Sequence, residues 1–160
     1  MRRLLKFLHT MGAIGLMGAM ACLLVLLAAA PAPTASLAGY ALVRGAMGTI
    51  ATWIFFPSLA LTLIAGLLSI ALTRAYLNAG WAWLKAATGV LVFEAGFVNV
   101  LGPMQQEAER SARALAGSLD PGTLARSLGA ERGTLWVLLA IATANVVLGI
   151  WRPRLVRLPR

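Results

Sequence analysis

This sequence is poor in the residues that most often carry chemistry. Among its 160 residues it has one cysteine, Cys22, one histidine, His9, and only five acidic side chains. A single cysteine excludes a disulfide framework or a thiolate metal cluster within one chain. No Walker loop, zinc-type His/Cys spacing, nucleophile elbow or dinucleotide fingerprint is present. The sequence therefore gives no support to the enzyme classes that depend on those motifs.

The composition indicates an integral membrane protein. Hydrophobic residues make up 60% of the chain, charged residues 12%, and the mean hydropathy is +0.83. The net charge of +9 would suggest nucleic-acid binding in a soluble protein. In a membrane protein, a basic excess usually marks loops that stay on the cytoplasmic side. We therefore expect the lipid bilayer, and no nucleic acid, as the partner of this surface.

Four apolar stretches are long enough to cross a hydrocarbon core of roughly 30 Å at about 1.5 Å per residue. The predicted spans are about 4–30, 57–76, 81–102 and 134–151. Segments of about 31–52 and 103–132 are predicted to lie outside the bilayer, the second as two short amphipathic helices, and 152–160 is a basic tail. The fold class is therefore all-α, a single-domain four-helix membrane bundle. A secretory signal is the alternative interpretation of the first span.

The distribution of Lys and Arg predicts the orientation. Nine of them fall on one side of the predicted bilayer: Arg2, Arg3, Lys6, Arg74, Lys85, Arg152, Arg154, Arg157 and Arg160. Five fall on the other side, with four acidic residues: Arg44, Arg110, Arg113, Arg126 and Arg132, with Glu107, Glu109, Asp120 and Glu131. The positive-inside rule places both termini in the cytoplasm, and the expected location is a bacterial inner membrane.

Small residues recur along the first span at steps of three and four. Gly12, Gly15, Ala19 and Cys22 form one smooth stripe. Helices in lipid gain little from burying apolar surface against each other, so close backbone approach at small residues drives their association. We interpret the stripe as a packing face.

Several polar residues lie at membrane depth. By helix rise, His9, Ser69, Lys85 and Asn145 fall in one layer near the cytoplasmic side, one from each span. Glu94 lies deeper, at about the level of Thr62. Nine residues separate it from Lys85, so the two side chains point to opposite faces of their helix. Glu94, Asn99, Asn145 and Thr62 are predicted to be buried polar residues. Snorkelling of Lys85, an interfacial hydrogen bond of His9 and a protonated packing role for Glu94 are the alternatives to a functional role.

Three sequence stretches occur in a recognisable order. They are "LLKFLHTMGAIGLMG" at the start, "PSLALTLIAGLLSI" in the second span and "GWAWLK" opening the third. Together they resemble the small four-helix membrane proteins that include the bacterial membrane-bound protoporphyrinogen IX oxidase and the copper-resistance D type. They are also similar to a related family of uncharacterised membrane proteins. The resemblance covers roughly residues 4 to 107.

The resemblance implies a haem b cofactor and a cofactor site. In the oxidase family, a histidine early in the first span and a lysine opening the third are required. By position these are His9 and Lys85, with His9 as a ligand of the haem iron and Lys85 as an electrostatic partner of a propionate. This chain has "FEAGF" where those oxidases carry a second histidine. Haem would need His9 alone, His9 with Met11, Met17 or Met20, or His9 from each of two chains.

The sequence leaves two main functions open. One is a membrane protein that binds haem b or a related tetrapyrrole in a redox or haem-biosynthesis role, with an oxidase activity as one version of it. The other is a non-catalytic accessory or assembly subunit, which the abundance of helix-packing glycines favours. Either could act as a homo-oligomer or within a larger membrane complex.

Overall fold

Every element in the described part of the chain is a helix. The structure, a computed structural model, describes residues 2–124 and 129–151, so the predicted basic tail 152–160 and Arg126 lie outside it. The seven α-helices are α1 (Arg2–Ala29), α2 (Leu37–Ile50), α3 (Phe56–Ala71), α4 (Arg74–Leu77), α5 (Gly80–Gly96), α6 (Gly102–Leu115) and α7 (Gly129–Trp151). Two π-helical segments, Ala51–Phe55 and Phe97–Leu101, and a 3₁₀ turn, Pro121–Thr123, complete the order.

Four helical rods are long and apolar enough to cross a membrane. They are Arg3–Ala29, Leu37–Ala71, Gly80–Leu115 and Gly129–Trp151. The second rod joins α2 to α3 through the first π segment, and the third joins α5 to α6 through the second. This is the all-α, four-helix architecture that the hydropathy predicted.

Two predicted span boundaries lie within longer helices. The span predicted from Pro57 is continuous with α2, and the span predicted to end at Gly102 is continuous with α6. Proline removes a backbone donor and clashes with the carbonyl four residues before it. Each proline follows two residues after a π segment, where the wider turn accommodates it and the helix continues. Of the two predicted amphipathic helices, α6 is the first; the second falls on a stretch that includes the 3₁₀ turn Pro121–Thr123, the start of α7 and 125–128, which lie outside the described residues.

The helix ends follow ordinary capping chemistry. The side chain of Ser36 accepts a hydrogen bond from the backbone N–H of Gly39 at 3.1 Å and starts α2. At the end of α6, Gly117 has a φ of 75°, and the N–H of Ser118 bonds to the carbonyl of Arg113 at 2.9 Å. This is the left-handed helix terminus that glycine permits without strain.

The helices α1, α3, α5 and α7 form a closed square in that order. Each packs on the next, and α7 packs back on α1. We call the end of the bundle marked by Arg2, Ala71, Gly80 and Trp151 the terminal end. At the opposite end α2 and α6 pack together as an outer pair. Gly48 permits their close approach, since a Cβ there would lie 2.9 Å from the Cβ of Ala108.

The apolar core fills the half of the bundle next to the outer pair. Its members from the four rods include Leu16, Met20, Leu23, Leu27, Met47, Phe55, Leu59, Val92, Val100, Met104, Leu135 and Leu138. Gly96 makes room for the ring of Phe55, whose Cζ lies 2.9 Å from the position of an added Cβ. The half of the bundle at the terminal end is less filled, and the candidate site lies there.

Candidate functional site

A cavity of about 570 Å³ lies between α1, α3, α5 and α7 near the terminal end. This volume is within the range of pockets that hold small molecules and cofactors. The predicted polar layer lines it: His9 from α1, Ser69 from α3, Lys85 from α5 and Asn145 from α7 all face the same space. Depth along the helices predicted their common level, and the structure shows that they share one cavity.

His9 is held by the backbone of α3. Its Nδ1 lies 2.8 Å from the carbonyl oxygen of Thr62. Because a carbonyl only accepts, Nδ1 carries the proton and donates. The neutral ring then has its lone pair on Nε2, which makes no hydrogen bond to any described residue. A metal-ligating histidine is commonly oriented in this way, through donation of its other N–H to a carbonyl.

Glycines allow the imidazole to reach that carbonyl. A Cβ at Gly66 would lie 3.3 Å from both Nδ1 and Cε1 of His9, so the ring lies directly against the backbone of α3. Gly12 brings the two helices together, since a Cβ there would lie 2.9 Å from the backbone nitrogen of Thr62. Two members of the predicted small-residue stripe, Gly12 and Gly15, thus pack against α3. Cys22 is exposed, and Gly18 faces open space.

Lys85 extends toward α7 at the terminal end of the cavity. Its Nζ lies 2.9 Å from where a Cβ would stand at Gly149, two residues before the end of α7. Asn145 lies one turn deeper, where its Oδ1 accepts a hydrogen bond from the hydroxyl of Thr88 at 2.8 Å. Lys85 therefore lines the cavity while its ammonium lies near the terminal end of α7.

The lining of the cavity is basic at its terminal end and apolar deeper in the bundle. Arg3, Lys6 and Lys85 contribute cationic side chains, and none of the described residues that line it is acidic. Tyr76 and Trp81 lie at the same end, with their ring centroids 5.5 Å apart in an edge-on arrangement. Such a space suits an apolar molecule that carries anionic groups on one edge.

The methionines that could assist His9 are placed differently. Met11 is exposed, and Met20 is fully buried in the apolar core. Met17 lines the cavity and follows His9 by eight residues on the same helix. The inward direction of His9 disfavours a haem shared between the His9 residues of two chains.

Two of the four polar residues predicted to be buried are exposed instead. Thr62 and Asn145 line the cavity, whereas Glu94 and Asn99 lie on the outer surface of the bundle. The reason is the helical phase of the third rod. Lys85 faces the cavity, and Glu94 is two and a half turns away at 3.6 residues per turn, so it faces outward. Thr62 does not pair with Glu94; its hydroxyl donates to the carbonyl of Ser58.

A buried polar network in the outer pair was missed by the sequence analysis. Arg44 is fully buried, and its Nη1 forms an ion pair with Glu131 at 2.7 Å. Its Nε donates to the hydroxyl of Tyr40 at 3.1 Å, and that hydroxyl donates to Glu107 at 2.8 Å. Among the described residues, Nη2 of Arg44 has no hydrogen-bond partner.

A periodicity could have revealed this network. Met104, Glu107, Ser111 and Ala114 are the buried residues of α6, and their spacing of three and four marks one helix face. Tyr40 and Arg44 are four residues apart on α2 and also share a face. The network fixes the outer pair to the start of α7.

The described residues contain no group of three or more His, Cys, Asp or Glu side chains that could hold a metal ion on their own. No family model, curated protein or solved structure matches this chain. The resemblance to the oxidase and copper-resistance families thus stays a prediction, and the cavity itself carries the functional argument.

Proposed function

We propose that this chain is a four-span protein of a bacterial inner membrane, with both termini in the cytoplasm, that binds haem b or a related carboxylated tetrapyrrole in the cavity. The observation that carries the proposal is the orientation of His9, whose Nδ1 donates to Thr62 and whose Nε2 is available to a metal. The bound group would serve a redox or haem-biosynthesis role.

The residues of the cavity fit such a group. The imidazole of His9 would hold the iron, alone or with Met17, since of the three candidate methionines Met17 lines the cavity, Met11 is exposed and Met20 is buried in the core. Lys85, with Arg3 and Lys6 at the same end, would attract the carboxylates of the ring. The apolar walls would exclude water from the ring faces. Haem bound there would supply one-electron redox chemistry tuned by its axial ligand and by burial.

The alternative role of an accessory subunit draws less support from these contacts. It rested on small residues that could dock another membrane protein. Gly12 and Gly15 are instead used within the chain, where they bring α1 against α3 and hold His9 in place. Gly12 and Gly15 thus help to form the cavity, since they allow α1 to pack closely against α3.

Spectroscopy of the purified protein tests the proposal. The protein is expressed with added haem precursor, purified in detergent, and its reduced-minus-oxidised spectrum is recorded. We expect a haem b signal in the wild type and a haem-to-protein ratio at least tenfold lower in His9→Ala. Met11→Ala, an exposed position on the same helix, is the matched control and should retain the full signal.

A second variant separates ligation from folding. His9→Gly leaves space beside Gly66, and free imidazole added to that variant should restore haem binding if the ring of His9 is the ligand. A wild-type protein that stays spectrally flat after haem is supplied would refute the proposal. Equal haem content in wild type and His9→Ala would show that His9 is not the ligand.

A further inference from the structure

A groove of about 510 Å³ runs along the outer surface between α5 and α7. Glu94 on α5, Asn99 in the π segment that follows α5, and Thr134 on α7 line it, and its other walls are apolar. Glu94 and Asn99 are both exposed. By helix rise, the groove lies within the predicted spans, in the half that is nearer to the outer pair.

Glu94, Asn99 and Thr134 differ from the exposed hydroxyl groups on the spans. Those hydroxyls form hydrogen bonds within their own helix. Thr10 donates to the carbonyl of Lys6 at 2.9 Å, and Thr143 donates to the carbonyl of Leu139 at 2.8 Å. Glu94, Asn99 and Thr134 make no hydrogen bond to any described residue. Hydrocarbon offers no hydrogen bonds, so a carboxyl and an amide left unpaired at this depth are costly. In a single chain, the polar groups on this surface therefore lack hydrogen-bond partners among the described residues.

We propose that this groove is the interface of a homodimer, with a two-fold axis that runs along the bilayer normal. Such an axis places each residue at the same depth as its copy, so that groups near it meet their own counterparts. The amide of Asn99 both donates and accepts hydrogen bonds, and the carboxyl group of Glu94 accepts them. The groove is therefore complementary to itself in hydrogen bonding, which a lipid tail is not.

The shape of the surface supports the same occupant. Leu91 and Val98 are 62% and 59% exposed and are two turns apart, so they form a ridge along α5 and the π segment that follows it. Ala95 lies between them in the lining of the groove and leaves room for a side chain of the second copy. Helices in bilayers associate through such packing at small residues together with interhelical hydrogen bonds.

The proposed interface leaves the two cavities independent. His9 lies on α1, which is diagonal to α5 in the square of helices. A dimer formed through α5 and α7 thus contains one His9 cavity in each chain. Loss of the dimer and loss of cofactor binding are separate outcomes.

Crosslinking in native membranes tests the interface directly. The native cysteine is first removed by Cys22→Ser. Leu91→Cys is then compared with Ile14→Cys on α1, since the two positions are 62% and 60% exposed and lie at similar rise, about 16–18 Å from the terminal ends of their helices. Oxidation or a short bismaleimide should give a dimer with Leu91→Cys and at least tenfold less with Ile14→Cys. Equal crosslinking at both positions, or none at Leu91→Cys, would overturn the proposal.

A dimerisation equilibrium tests the role of Glu94. Energy transfer between labelled copies in liposomes gives the dissociation constant of the dimer. Glu94→Leu removes the hydrogen bonds at both copies and should weaken dimerisation about tenfold. Glu94→Gln has an amide that can donate and accept, and its dissociation constant should stay within threefold of the wild-type value. Thr143→Val on α7 is the exposed control. An unchanged constant in Glu94→Leu, or a monomer that copurifies with a lipid-soluble molecule lost in Glu94→Leu, would refute the dimer.

Discussion

At the scale of single residues, the cavity depends on the absence of a side chain at two glycines. Gly66 leaves the space in which the imidazole of His9 lies, and Gly149 leaves the space that the ammonium of Lys85 occupies. Both polar groups therefore reach across to a neighbouring helix. Hydrogen bonding then fixes the direction of His9, because its Nδ1 donates to the carbonyl of Thr62.

Lys85→Gln tests the electrostatic part of the proposed haem site. Removal of one charge-assisted contact to a propionate should weaken haem binding by about tenfold, since such hydrogen bonds contribute on the order of 1.5–3 kcal/mol. Titration of the apoprotein with haem, followed by absorbance, measures this. The matched ligand is haem dimethyl ester, which has no carboxylates. If Lys85→Gln weakens binding of the ester as strongly as that of haem, Lys85 does not contact a propionate.

Glu131→Ala tests the buried ion pair. Arg44 would keep its charge in a fully buried position and lose its contact with a carboxylate. Removal of one partner of a buried pair typically costs about 3–5 kcal/mol. We expect a loss near the lower bound, because Glu131 is 18% exposed. Unfolding in mixed detergent micelles measures the change. Glu109→Ala, an exposed acidic position on α6, should change stability by less than about 0.5 kcal/mol.

At the scale of helices, the approach of α1 to α3 decides whether the site exists. Gly12 and Gly15 lie against Ser58 and Thr62, so the two backbones are close enough for His9 to contact the opposite helix. The same approach allows Leu16 and Leu59 to join the apolar core. Packing between these helices and the geometry of His9 are thus linked.

Gly12→Ala tests this link. The added Cβ would meet the backbone of Thr62 at 2.9 Å, so the helices must separate, at a cost typical of overpacking, about 1–3 kcal/mol. Gly18→Ala on the same helix meets no atom within 4 Å and should not destabilise the protein. Unfolding in mixed micelles gives the stabilities, and the haem titration gives the effect on the cavity. Equal behaviour of the two variants would show that the close approach is not required.

At the scale of the whole molecule, the two ends of the bundle differ in their charged groups and in how densely the space between the helices is packed. The terminal end has the cavity and its cationic side chains, whereas the end with the outer pair has the apolar core and the network around Arg44. Since positive loops are retained in the cytoplasm, this division predicts which end faces inward.

Cysteine accessibility in spheroplasts tests the orientation. In the Cys22→Ser background, Ser118→Cys lies in an exposed turn after α6 and Asn78→Cys in an exposed turn before α5. A membrane-impermeant maleimide should label Ser118→Cys in intact spheroplasts and Asn78→Cys only after permeabilisation. The opposite pattern would reverse the predicted topology, and labelling of both in intact spheroplasts would show that the chain does not separate the two turns.

Much of this architecture could be predicted because hydropathy and helix rise are local properties. They predicted four helices long and apolar enough to cross a membrane and the common level of His9, Ser69, Lys85 and Asn145. Helical phase also predicted that Lys85 and Glu94 face opposite sides. It could not say which of the two faced inward, since that depends on the neighbouring helices. As a result, Glu94 and Asn99 were predicted to be buried and are exposed.

The remaining features depend on contacts distant in sequence. The hydrogen bond from Tyr40 to Glu107 joins residues 67 positions apart, and nothing local to either residue specifies that pairing. The continuity of the long rods was also missed. Local rules treat Pro57 and Pro103 as ends of helices, but the π segments before them change the backbone enough for each helix to continue.

The two longest rods give the protein a mechanical property that separate short helices would lack. Arg44 and Thr62 belong to one rod, and Lys85 and Glu107 to the other, so each rod spans the distance between the outer network and the cavity wall. The π segments contact each other, so the two rods are linked at the level where each passes from the outer pair into the inner bundle. A tilt of the outer pair would therefore shift the wall of the cavity around His9.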